Sequence, residues 1–161
     1  MASTLEPGGG TGVDGLEAMR RQNYEVLLDR LARTRPLAGL RVLEVGSAWG
    51  WFIEAVGARG AFAQGIEPER VNVDLYRERG LGVQHGFFPD DLADRGPYDL
   101  IVFNDVFEQL PDPAAAGAAV ESLLRPGGLV VVNLPSNRGA LFRLASLLER
   151  LGVAGFYERL W

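Results

Sequence analysis

The chain has 161 residues, 47% of them hydrophobic and 23% charged, which is enough for one domain with a core. Its formal charge of -5 leaves no basic surplus to neutralise phosphates, so no nucleic-acid partner is expected. All 16 basic residues are arginine, which excludes Schiff-base chemistry and the lysine of an ATP-binding P-loop; zero cysteines and one histidine exclude disulfides, thiolate sites and histidine-rich metal centres.

Residues 1–13 are rich in glycine, serine and threonine, without the basic region and apolar run of a secretion signal. They are expected to form a disordered tail ahead of a single domain over 14–161. No apolar stretch approaches the ~20 residues that span a bilayer, so a soluble, cytoplasmic chain without membrane contact is expected. Asp14 and Glu17 have the spacing of a capping box, and Leu16, Met19, Tyr24, Leu27, Leu28 and Leu31 follow at helical intervals. A helix is therefore predicted before the first strand. The pattern then alternates: strand 41–45, helix 49–59, strand 62–66, helix 69–79, strand 83–85, strand 98–104, helix 113–124 opened by Asp112-Pro113, and strand 129–134. Continuous apolar strands alternating with helices indicate βαβ units and a parallel sheet buried on both faces. The predicted class is α/β, a doubly wound and mostly parallel sheet of five strands, with an extra N-terminal helix. A last helix is predicted over 139–151.

The turn after the first strand, Glu44-Val45-Gly46-Ser47-Ala48-Trp49-Gly50-Trp51, and the second strand's end, Glu67-Pro68, carry the chemistry. A turn with two glycines admits a ligand close to the backbone, and an acid at the tip of the next strand is placed to take ribose hydroxyls. A dinucleotide fingerprint needs glycine where Ala48 and Trp51 stand, and a P-loop needs Gly-Lys where Trp51-Phe52 stands. What remains, Glu44-x-Gly46-x-x-x-Gly50, resembles motif I of the class I S-adenosylmethionine-dependent methyltransferases, with Ala48 in place of the middle glycine. Gly65-Ile66-Glu67-Pro68, the run from Tyr98 to Glu108, Leu110-Pro111-Asp112-Pro113 and Leu124-Arg125-Pro126-Gly127-Gly128-Leu129 extend the resemblance from Leu40 to Pro135.

The resemblance implies S-adenosylmethionine as cofactor, a small-molecule acceptor methylated at oxygen or carbon, and no required metal. It implies that Gly46, Ser47, Ala48 and Gly50 face the methionine part, that Glu44 orients their loop, and that Glu67 with Pro68 holds the ribose. Phe87 and Phe88 fall where the family surrounds the adenine, and Asn104 and Asp105 leave the fourth strand beside the methyl donor. Asp105, Glu108 and His85 are the candidate bases for a hydroxyl acceptor. Each has a plainer alternative: Glu44 as a capped turn carboxylate, Phe87 and Phe88 as core, Asp105 as a helix N-cap, His85 as a structural residue. Trp49 and Trp51 either pack the helix on the sheet or offer a face to the sulfonium. Many similar proteins carry Glu-His after the fourth strand where this chain has Glu108-Gln109. Amino-group methylases of DNA bases or glutamine often carry Asn/Asp-Pro-Pro-aromatic, and Asn104-Asp105-Val106-Phe107 lacks both prolines, which disfavours that chemistry.

The resemblance implies a Rossmann-like sheet with the five strands found here in order 3-2-1-4-5; the resembling fold has seven strands, and residues for the last two are not found after the final predicted helix. The fifth strand is then an apolar edge, expected to be covered by the last helix, by residues 156–161, by a second copy or by a partner chain. The alternative to an enzyme is a non-catalytic or partner-dependent cofactor-binding module. A third reading is an unrelated nucleotide-binding α/β domain.

Overall fold

The computed structural model describes residues 10–93 and 96–134, with side chains from residue 15 onward. Five strands, β1 (Arg41–Val45), β2 (Phe62–Glu67), β3 (Val83–His85), β4 (Tyr98–Asn104) and β5 (Leu124–Asn133), form one sheet in the order β3-β2-β1-β4-β5. Every pairing is parallel, with Val45 opposite Ile66 and Phe103, and Glu67 opposite His85. Parallel pairing puts all five carboxyl ends along one edge of the sheet, where the turns that carry the motif residues collect. The Rossmann-like order that the resemblance implies is the order observed.

The central strands are apolar because helices cover both of their faces. All seven residues of β4 are buried, as are the last four of β1. On one face, α1 (Gly10–Ala32) and α2 (Trp51–Ala58) pack Tyr24, Leu28, Phe52 and Val56 over Val42, Leu100 and Val102. Tyr24 and Phe52 meet edge to face, with centroids 5.6 Å apart. On the other face, α4 (Pro113–Leu123) brings Val120 and Leu123 onto Leu43, Ile101 and Phe103. The remaining helix, α3 (Arg70–Glu78), buries Val73 and Tyr76.

Two boundaries differ from expectation by more than two residues. Helix α1 begins at Gly10, so Asp14 lies inside it rather than capping it, and Glu17 instead accepts from Arg21 Nε at 2.7 Å, one turn on. Strand β5 starts five residues early: Leu124 pairs with Tyr98 and Leu129 with Leu100, and the extra residues bulge between them. Pro126 has no N–H to offer the ladder, Gly127 takes φ 75°, and Arg125 Nη1 bonds Asp99 Oδ1 at 3.0 Å, which holds the bulge. Along β5, Leu129, Val130 and Val132 are 36 to 42% exposed. Asp112 caps α4 as expected, its Oδ1 accepting from the N–H of Ala114 and Ala115 at 3.0 and 2.9 Å, with Pro113 in the first turn. The predicted helix over 139–151, residues 156–161 and most of the expected tail lie outside the described residues.

Candidate functional site

The turn leaving β1 is folded by its own residues. Gly46 has φ 70° and donates its N–H to Ile66 O at 2.9 Å, which carries the chain back over the end of β2. A Cβ there would lie 2.7 Å from Val106 Cγ2, so only glycine fits between the turn and the loop after β4. Ser47 Oγ donates to Glu44 O at 3.3 Å and occupies the space that a Cβ on Gly65 would need. Ala48 has φ 39°, an unfavourable conformation for a residue with a Cβ, and its N–H donates to Glu67 Oε2 at 2.9 Å. Gly50, at φ 69°, ends the turn with its N–H on Ser47 O at 2.7 Å and serves as N-cap of α2. Its Cα packs against Tyr76 and Leu81, so this glycine answers a constraint within the protein.

Two carboxylates anchor the turn from below. Glu67 also accepts from Glu69 N at 3.0 Å and from Asn72 Nδ2 at 3.3 Å, so three donors hold it rigidly at the tip of β2. Glu44 is 2% exposed, and its Oε1 accepts from Asn104 Nδ2 at 2.8 Å. Burial pushes the Glu44 carboxyl up to about 8; the Asn104 hydrogen bond acts against this and the charge of Glu67 adds to it. At neutral pH it is therefore mostly protonated. Glu44 Oε2 and Asn104 Oδ1 are both buried without a hydrogen-bond partner among the described residues.

Above this floor lies a cleft of about 360 Å³. Gly46, Ser47, Ala48, Glu67, Pro68, Asn104 and Asp105, all singled out in the sequence, line it. A second cavity of about 450 Å³ shares Gly46, Pro68 and Val106 as a wall and is lined by Phe87 and Phe88. Phe87 is 64% exposed and so is not core, whereas Phe88 is half-buried against Phe103, edge to face at 5.7 Å. Glu44 lies beneath the cleft. Glu108, in the 3-10 turn Phe107–Gln109, and His85, at the end of β3, are exposed and outside both sets of lining residues. Asp105 has φ 55° and does not cap the 3-10 turn, whose N-cap is Val106.

Helix α1 supplies residues that the sequence reading did not single out for the site. Arg20 pairs with Asp105 across the cleft, and Tyr24 lines the wall beside it. Burial raises the Tyr24 hydroxyl to about 12, so it remains a neutral donor at any physiological pH. Gln109 Nε2 donates to Asp105 O at 2.9 Å and also faces the cleft. A signal for Arg20 existed: Leu16, Arg20 and Tyr24 are spaced four apart, which puts an arginine within the apolar stripe of a helix.

A two-lobed cleft at the carboxyl ends of parallel strands, with a glycine turn and two strand-end acids, is where such sheets bind nucleoside ligands. Over residues 16–159 the sequence matches the family described as a methyltransferase domain. The chain belongs to the S-adenosylmethionine-dependent methyltransferase family. It is 35% identical over 127 residues to a ubiquinone biosynthesis O-methyltransferase of Xylella fastidiosa (strain 9a5c), covering 74% of this chain and 52% of that one. Against the enzyme of the same description from Ralstonia nicotianae it is 33% identical over 125 residues, covering 73% and 52%. The chain thus spans about half the length of the curated relatives it matches. Among solved structures, DesVI of Streptomyces venezuelae aligns with a TM-score of 0.63 at 23% identity, covering 81% of this chain and 59% of that one. CalS10, an amino pentose methyltransferase from Micromonospora echinaspora solved with S-adenosylmethionine bound, aligns with a TM-score of 0.59 at 24% identity, covering 84% and 60%. These likenesses establish the methyltransferase fold.

Proposed function

We propose that this chain binds S-adenosylmethionine in the cleft over β1, β2 and β4 and serves methyl transfer to a small-molecule acceptor, at oxygen or carbon. The observation that carries the reading is the buried pair Glu44 and Asn104, whose Oε2 and Oδ1 have no hydrogen-bond partner among the described residues, beneath a glycine turn that Glu67 ties to the neighbouring strand. Buried polar atoms without partners are costly, and a ligand ammonium group would donate to Asn104 Oδ1 and draw the Glu44 carboxyl towards its ionised form. The residues fit the cofactor elsewhere too. Glu67 lines the first lobe beside Pro68, which both lobes share, for a ribose; Phe87 and Phe88 offer flat faces for the adenine, and Arg20 offers a cation for the amino-acid carboxylate.

When bound, S-adenosylmethionine supplies an electrophilic methyl group for in-line displacement, and the protein's part is alignment. Asn104 and the turn at 46–50 set one side of the cleft, and α1 closes the other through Arg20 and Tyr24. A hydroxyl acceptor must lose its proton. Of the three acid–base candidates, Asp105 lines this cleft, and Arg20 must release it before it takes a proton. Replacing Asp105 with Asn should then lower kcat for a hydroxyl acceptor while leaving cofactor affinity within a few-fold.

Titration calorimetry with S-adenosylhomocysteine tests the reading. Saturable heat is expected, weakened at least tenfold in Glu67→Ala, or about 1.4 kcal/mol. No heat at millimolar ligand would end it.

The second reading, a binding module that works through a partner chain, draws support from β5, whose free side carries half-exposed Val130 and Val132. Cofactor binding without turnover until a second chain is added would favour it.

A further inference from the structure

The cleft carries one large side chain that neither the turn nor the core requires. Trp49 is 46% exposed and lines the cleft, while Trp51, two residues on, is 7% exposed and belongs to the core. Their rings stack at a centroid distance of 5.7 Å with 14° between planes, and the Arg21 guanidinium sits 5.7 Å from the Trp51 centroid. An exposed tryptophan on a mobile loop would mean little, but this one is fixed. Its backbone lies between two residues of positive φ, Ala48 and Gly50, and its carbonyl accepts from Arg79 Nη1 at 2.8 Å. Arg79 is itself paired with Glu54, which also holds Arg21. Arg21, Trp51 and Trp49 therefore form an ordered stack whose last layer is an indole at the wall of the cleft.

We infer that Trp49 is a specificity residue, a flat platform that selects an uncharged, planar aromatic acceptor. A ring laid on a preorganised indole gains stacking beyond its area burial and costs little ordering. Charge at the cleft points the same way. Its lining holds one cation, Arg20, which Asp105 and the cofactor's carboxylate both engage, against the acids Glu67, Glu69 and Asp105, so an anionic acceptor is repelled. Glu67 is held in place by three donors, and the rim beside Trp49 includes the half-exposed Leu16 of α1. A cationic ligand has a weaker claim on this stack, since Arg21 already provides it with a cation. The inference rests on the reading of the cleft as a methyl-transfer site and names the acceptor class for it.

The test uses two neutral probes of equal ring size, planar 2-naphthol and saturated 2-decalol, titrated into the chain with and without S-adenosylhomocysteine. The wild type should bind 2-naphthol at least tenfold more tightly than 2-decalol. Trp49→Phe should keep that preference, and Trp49→Leu, which keeps apolar bulk without a flat face, should abolish it. Equal affinity for both probes, binding of neither, or a preference surviving in Trp49→Leu overturns the proposal. So does a Trp49→Leu variant that weakens S-adenosylmethionine far more than S-adenosylhomocysteine, because Trp49 would then serve the sulfonium. The naphthol preference without any S-adenosylhomocysteine heat would remove the cofactor reading and retain the platform; heat without the preference would do the reverse.

Discussion

Glu44 combines burial, a single hydrogen bond and an unsatisfied oxygen, and its energetics follow from the proton it retains. Its carboxyl is raised to about 8, so between the ordinary carboxylate range and pH 8 the folded chain binds a proton that the unfolded chain releases. Stability from this group is complete at low pH and is lost as pH rises towards 8. Each tenfold gain in proton affinity on folding is worth about 1.4 kcal/mol, so the effect amounts to several kcal/mol. The wild-type thermal midpoint should therefore fall between pH 5 and pH 8 by clearly more than that of Glu44→Gln, and parallel slopes would show that Glu44 is not the group responsible. Gly50 is the second sensitive position. An alanine there meets positive φ and places its Cβ 2.8 Å from Tyr76 and 2.9 Å from Leu81, which should cost roughly 2 to 4 kcal/mol in urea denaturation. Much at this scale was legible in the chain, because glycine and acid at fixed spacing in one turn have few other uses. Arg20 left only the hint of an arginine in an apolar stripe and Gln109 none, since their partner Asp105 lies 85 and 4 residues away respectively and only the fold decides which of them faces it.

Among the elements, α1 joins the core to the site. Tyr24 and Leu28 bury it against Phe52, while Arg21 and Arg59 tie it to α2 through Glu54, Glu25 and Asp29. Burial by itself would raise the Glu54 carboxyl, but Arg79 and Arg21 hold it below its ordinary value. Removing Leu28 to Ala should cost about 2 to 5 kcal/mol by denaturant melting, because its side chain is fully enclosed. Loss of the α4 cap in Asp112→Ala should cost about 1 kcal/mol, and an unchanged midpoint would deny Asp112 that role. The period of the apolar residues locates these helices, and the caps locate some of their ends. The start of β5 is not legible in the same way, because Pro-Gly-Gly reads as a loop and the pairing of Leu124 with Tyr98 depends on a bulge that local sequence does not encode.

At the scale of the molecule, the parallel order β3-β2-β1-β4-β5 gathers β1, β2 and β4 at one edge, and the two-lobed cleft follows from that topology. Alternation of strand and helix is enough to foresee a parallel, doubly wound sheet, whereas the order follows from the motif resemblance, because more than one order fits the same alternation. The other consequence is an apolar outer strand. If β5 mates with a second copy of the chain, sedimentation should show concentration-dependent association that Val132→Lys suppresses; a monomer at every concentration would rule that out. The central claim, that this cleft receives S-adenosylmethionine, is tested most directly by mapping backbone amide shifts during a titration with S-adenosylhomocysteine. The account predicts the largest changes at residues 46–50, 67–69, 86–91 and 104–106, on the two lobes and their shared wall. Changes centred elsewhere, or none at millimolar ligand, would contradict it.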